Sequence, residues 1–132
     1  MRSGAKAYRY RLHNKQGMVT LIHCINGYIR HTSRLQQLHR VCQQLSISVI
    51  YPKVLDKESS WFAGFFDAKG MLNYKFLDNN TKPLLYVNVI HRIYNLVTLF
   101  KDVFGGYIKM DFGGNGRYVW YLESEDQLLK FF

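Results

Sequence analysis

Acidic residues are missing from the first 55 positions of this 132-residue chain. The same stretch holds nine cations: Arg2, Lys6, Arg9, Arg11, Lys15, Arg30, Arg34, Arg40 and Lys53. From Asp56 onward nine Lys or Arg balance nine Asp or Glu, so the whole formal excess of +9 lies in the first segment. A surface of one sign favours a polyanion, the alternative being a solvated basic face. Cysteine is scarce. Cys24 and Cys42 form no Cys-x-x-Cys pair and have no His at zinc spacing, which argues against a metal finger and leaves them as small buried hydrophobes of a reducing compartment. The His residues at 13, 23, 31, 39 and 91 are scattered, as surface or phosphate-contacting side chains are, and do not cluster as metal ligands. No apolar run approaches the roughly twenty residues that span a bilayer, so no membrane partner is expected. The basic start lacks a following apolar stretch, so no signal peptide is expected. Residues 1–11 could pass for a transit sequence, but 8–13 reads better as a strand. The glycines at 113, 114 and 116 are not followed by Lys-Ser/Thr and make a hairpin turn, not a phosphate loop.

What is present is core material, 48% hydrophobic and 16% aromatic, enough for one ordinary domain. Residues 8–13 alternate as a strand, and a helix follows around 15–25. A second helix spans about 33–45, with Ser33 as its cap and Leu35, Leu38, Val41, Cys42 and Leu45 at helical spacing. A helix begins at Ser59 or Ser60, carries Trp61, Phe62, Phe65 and Phe66, and ends at Gly70 in a left-handed conformation. Strands are predicted at 71–77 and 84–90, joined by a turn over 78–83. Tyr94–Phe104 forms a helix with Leu96, Val97, Leu99, Phe100 and Val103 inward, stopped by Gly105-Gly106. Strands at 107–112 and 117–123 make a further hairpin. Residues 8–14 and 18–22 match 118–124 and 128–132 in order, spacing and apolar pattern, an internal duplication about 110 residues apart.

The run Trp61-Phe62-Ala63-Gly64-Phe65-Phe66-Asp67-Ala68-Lys69-Gly70 resembles the LAGLIDADG motif of homing endonucleases, and the resemblance extends from about Tyr8 to the end. It implies an α+β fold, an αββαββα repeat with an antiparallel saddle-shaped sheet along a nucleic-acid groove. Residues 1–45 would be the C-terminal remnant of a first repeat, 46–58 a linker, and 59–132 a second repeat truncated in its last helix. In the family two motif helices pack through small residues, here Ala63 and Gly64. The acidic residue before the final Gly of each then reaches the scissile phosphates and holds a divalent cation.

Here that position is Lys69, whose ammonium would repel Mg²⁺ and can pair with a phosphate. Asp67 is retained, but the resemblance gives its position a role in supporting the helix end. A late-strand Lys of the family is replaced by Val119 before Trp120, and the matching place in the first half is Arg9 before Tyr10. No catalytic residue is therefore expected. The resemblance implies a catalytically degenerate protein that binds structured RNA in preference to DNA, in an organellar ribonucleoprotein such as a mitochondrial ribosome or an intron complex. The expected compartment is the mitochondrion, with the chloroplast as alternative. The rival is one part of a split homing endonuclease that cuts intron-target duplex DNA; only then would Mg²⁺ be a cofactor, and otherwise none is expected. A complementary protein fragment carrying the missing first-repeat elements is an expected partner, or else a second copy meeting it through Ala63 and Gly64. The expected nucleic-acid contacts are Arg9, Arg11, Lys15, Arg30, Arg34, Arg40 and Lys69, with Asn73, Lys75, Asn88, Lys109 and Arg117 on the sheet among Tyr86 and Tyr121. An ordinary polar outer face is the alternative reading of the sheet residues.

Overall fold

The computed structural model describes residues 6, 8–76, 82–113 and 116–131. Most of the turn expected at 78–83 and part of the loop at 113–116 lie outside them. The chain divides into two compact units, Met1–Pro52 and Lys53–Phe132.

In the first unit Asn14 starts α1 (Lys15–Ile25): its side-chain oxygen accepts from the Gly17 amide at 2.6 Å, satisfying one of the helix's free donors. Helix α2 (Thr32–Leu45) ends at Ser46, whose left-handed backbone lets the Ile47 amide reach back to the Cys42 carbonyl at 2.9 Å. Ile22, Leu38 and Cys42 are buried together, and Ile25, Leu35, Val41, Leu45, Ile47 and Val49 pack around them. The buried Asn26 takes the place of a neighbouring strand for the segment after α2. Its amide donates to the Ser48 carbonyl and its oxygen accepts from the Ile50 amide, both at 2.8 Å.

Three expectations fail here. Residues 8–13 form no strand, and Tyr8 and Tyr10 are almost fully exposed. Alternation makes a strand only where a partner accepts its ladder, and no described residue pairs with this segment. Ser33 lies inside the first turn of α2. His31 takes the cap position, where its carbonyl accepts from Arg34 and Leu35 without any side-chain cap bond. Cys24 is exposed while Cys42 is buried. Cys24 sits two residues from the buried Ile22, about 200° around the helix, and so faces away from the cluster.

The second unit runs α3 (Ser60–Lys69), β1 (Gly70–Phe76), β2 (Pro83–His91), α4 (Tyr94–Phe104), β3 (Tyr107–Asp111), β4 (Arg117–Leu122) and α5 (Glu125–Phe131). This is the expected helix, strand, strand, helix, strand, strand, helix order. The strands form one antiparallel sheet in the order β1-β2-β4-β3. Pairings Val87↔Leu122 and Val89↔Trp120 put four fully buried side chains on one face of the central pair. Phe62 of α3, Val97 and Phe100 of α4 and Leu128 of α5 close over them. All three helices therefore cover the same face, and the opposite face belongs to the other half of each strand's alternation.

Two glycines shape the joints. Gly106 has φ +78°, and a Cβ there would collide with the Tyr121 carbonyl. Beside it the Trp120 indole donates to the Gly105 carbonyl at 2.7 Å, which satisfies the buried ring and ties the end of α4 to β4. Gly70 is not left-handed as expected. It is extended, at φ −85° and ψ 159°, and passes directly from α3 into β1. Its side of the chain is filled by the Phe66 ring, so glycine is required for space instead of for its backbone freedom.

Candidate nucleic-acid interface

The strand register settles which residues share the face opposite the helices. Asn73 pairs with Tyr86, Asn88 with Tyr121, Tyr121 with Tyr107, Lys109 with Val119 and Asp111 with Arg117. Lys75 lies two residues from Asn73 on the same side. The sheet residues expected as contacts (Asn73, Lys75, Asn88, Lys109 and Arg117) are thus brought together on one face, with Tyr86 and Tyr121 among them. They differ in availability. Arg117 and Lys109 are exposed, whereas Asn88 is buried in the middle of the sheet and accepts from the Asn73 amide at 3.4 Å. Val119 is buried on this face too, where the resemblance expects a Lys one residue before the aromatic.

At the end of the sheet nearest the start of β2, Glu123 follows β4 and continues its alternation. Its Oε1 takes a salt bridge from Lys75 Nζ at 3.0 Å and a hydrogen bond from the Tyr107 hydroxyl at 2.8 Å. Burial pushes the Glu123 carboxyl up. The hydrogen bonds from Lys75 and Tyr107 and the charges of Lys75 and Lys109 outweigh that and hold it below the ordinary carboxylate value. The same carboxylate works on its partner in the other direction: burial first, then the bond and charge of Glu123, push the Tyr107 phenol up to about 12. Lys75 also lies 5.6 Å from the Tyr86 ring centre, and Lys109 lies 5.2 Å from that of Tyr107 and 5.7 Å from that of Tyr121. The rings of Tyr107 and Tyr121 stack at 5.4 Å with 22° between their planes. Sequence reasoning chose Lys75 and Lys109 but missed Glu123 and Tyr107, the residues that bind them in place. The signal was the unbroken alternation 117, 119, 121, 123, which carries Glu123 onto the polar face.

Lys69 closes α3 as an exposed side chain in its last turn, where the partial negative charge of a helix C-terminus favours a cation. Asp67, Ala63 and Gly64 are exposed on the same helix, and a Cβ added at Gly64 would meet nothing within 4 Å. Among the described residues no group of three or more His, Cys, Asp or Glu is placed to hold a metal ion. No helix among them is long and apolar enough to cross a membrane.

The basic residues of the first unit are spread along it. Arg9 and Arg11 are exposed in the irregular segment before α1, and Lys15 opens that helix. Arg30 lies between the helices with its guanidinium donating to the Tyr28 carbonyl at 3.2 Å. Arg34 and Arg40 are exposed on α2, and Arg34 donates to Gln37 at 2.9 Å.

No protein-family model matches the chain. It is 40% identical to a probable intron-encoded endonuclease of Debaryomyces hansenii, over 99% of this chain and 22% of that protein. It is 41% identical to an intron-encoded RNA maturase of Saccharomyces cerevisiae, over 96% of this chain and 20% of the maturase. An intron-encoded DNA endonuclease of Dictyostelium discoideum is 30% identical over 94% of this chain and 49% of its own length. The chain thus spans about a fifth of the first two relatives and about half of the third. Among solved structures, the group I intron-encoded homing endonuclease I-CeuI complexed with DNA aligns with a TM-score of 0.49 and 20% identity, over 89% of this chain and 60% of that one. The archaeal intron-encoded homing endonuclease I-Vdi141I complexed with DNA aligns with a TM-score of 0.46 and 19% identity, over 54% and 48%.

Proposed function

We propose, on the premise that this chain belongs to the LAGLIDADG homing-endonuclease family, that it is a nucleic-acid-binding segment without cleavage activity of its own, acting on structured RNA. The observation that carries the reading is Lys69. The motif's carboxylate would bring a divalent cation to the end of α3, and the ammonium at that position repels one. A cation there serves phosphate binding equally well, so the loss of hydrolysis leaves recognition intact. Support for RNA comes from the maturase relative, at 41% identity over 96% of this chain. The setting that fits is an organellar, in the first instance mitochondrial, ribonucleoprotein. The exposed Ala63–Gly64 side of α3 would there be covered by a complementary protein carrying a second motif helix.

Incubating the purified chain with Mg²⁺ and a duplex DNA library, with RNA binding measured in parallel, tests this. The expected result is uncut DNA and retained binding to structured RNA. Lys69→Asp should gain affinity for Mg²⁺ and still cut nothing without a second motif helix. Specific nicking by the unaltered chain, abolished by Asp67→Ala, would establish the split-endonuclease reading instead.

A further inference from the structure

The polar face of the sheet is built around aromatic rings more than around free cations. Tyr86, Tyr121 and Tyr107 stand on three adjacent strands, β2, β4 and β3, with centroids 6.2 Å and 5.4 Å apart along the row. Each ring is half-buried and so keeps part of its surface open. The cations at the ends of this row are already engaged, Lys75 on Glu123 at 3.0 Å and Lys109 over two of the rings. Glu123 adds a carboxylate that repels phosphate and accepts from hydroxyl donors.

We infer that this tyrosine row is a stacking ledge for unpaired or extruded bases of RNA, distinct in its chemistry from the basic first unit that holds phosphates. The inference rests on the RNA-binding reading above and names the part of the RNA this face takes. Tyr107 and Tyr121 already form an offset stack, and a third π-face can extend it. A base inside a duplex has both faces covered by its neighbours and cannot do so, whereas a bulged or looped base can. Glu123, bonded to Tyr107 in the row, adds a carboxylate acceptor of the kind to which a ribose 2′-hydroxyl, absent from DNA, can donate. Because stacking neutralises no phosphate, binding through this row adds affinity without adding salt dependence.

The test compares the whole chain on two RNA hairpins of equal length, one fully paired and one with a single-base bulge, through a salt series. The bulged hairpin should bind more tightly, by about five- to a hundredfold for one stacked base. Tyr121→Leu should erase that preference while leaving the salt slope unchanged, and Tyr121→Phe should keep it. Tyr86→Leu repeats the test at the neighbouring ring, and a thermal melt confirms that each variant folds. Equal binding to both hairpins by the unaltered chain overturns the ledge and leaves RNA binding standing, as does a preference that survives the Leu variants or disappears in the Phe variant. Binding to neither hairpin, or tighter binding to duplex DNA than to both, overturns the ledge together with the RNA reading.

Discussion

Glu123 is the residue on which the polar face of the sheet is organised, because one carboxylate oxygen serves both Lys75 and Tyr107. Its ionised form is favoured in the fold, since its folded value lies below the ordinary 4.5. The stability it contributes is therefore present above the unfolded value and is lost as pH falls through the folded one. Tyr107 has the opposite sign. Its proton is held more tightly in the fold, to about 12 against an ordinary 10.0, so its contribution is complete below pH 10 and is lost as pH rises toward 12. Replacing Tyr107 with Phe should cost about 1 kcal/mol at neutral pH, the worth of a hydrogen bond to a partly screened carboxylate. Denaturant melts of the two proteins should show that gap closing between pH 10 and pH 12. A gap that persists unchanged to pH 12 would mean the phenol is not held by Glu123.

Elements whose partners lie close in sequence are legible in the sequence itself. Helix α4 begins and ends where its apolar spacing and the following glycine pair place it, and β1 to β4 fall within about two residues of their expected ends. Even the duplication keeps a structural trace: α1 starts at Lys15 and α5 at Glu125, the same 110 residues apart as the matched segments. The alternating segment at 8–13 fails although it reads much like β4, because the ladder that makes β4 a strand is supplied by β2 and β3 and is written in no local pattern. Local pattern makes Gly70 a helix stop by its backbone freedom, whereas what the fold uses is its missing side chain, a tertiary property. The polar residues of the sheet face were legible from alternation alone, whereas the Glu123 network depends on register between strands separated by up to 48 positions. Two joints give quantitative tests. Gly106→Ala forces a side chain against the Tyr121 carbonyl at a positive φ and should destabilise the second unit by at least about 1–3 kcal/mol. Asn26→Ala removes both bonds that tie the exposed residues 48 and 50 to the end of α1, at about 0.5–1.5 kcal/mol for each bond. Thermal melts monitored by circular dichroism would read both, and a loss under about 0.5 kcal/mol in either variant would show that the joint relaxes freely.

Over the whole molecule, charge and chemistry are divided between the two units. The first, Met1–Pro52, contains eight Lys or Arg and no Asp or Glu, while the second carries all nine acids against ten cations, Lys57 and Lys75 being salt-bridged among them. On the proposed reading, long-range attraction for a polyanion arises mainly in the first unit, and discrimination in the sheet. Arg34 and Arg40 are exposed on α2, whereas Arg30, just before it, is half-buried and donates to the Tyr28 carbonyl. Each phosphate neutralised on a duplex contributes a slope of about −0.9 in log affinity against log salt, and about −0.7 on a single strand. Changing Arg30, Arg34 and Arg40 together to Gln should weaken binding to every sequence alike and flatten the slope by up to about three units. Changing Lys109 or Arg117 should instead alter which RNA is preferred and leave the slope within about one unit of its original value. Binding isotherms at four or five salt concentrations separate the two effects. Should the triple change leave affinity and slope intact while the sheet variants abolish all binding, the basic unit would be a solvated face or a protein contact, and the sheet alone would hold the nucleic acid.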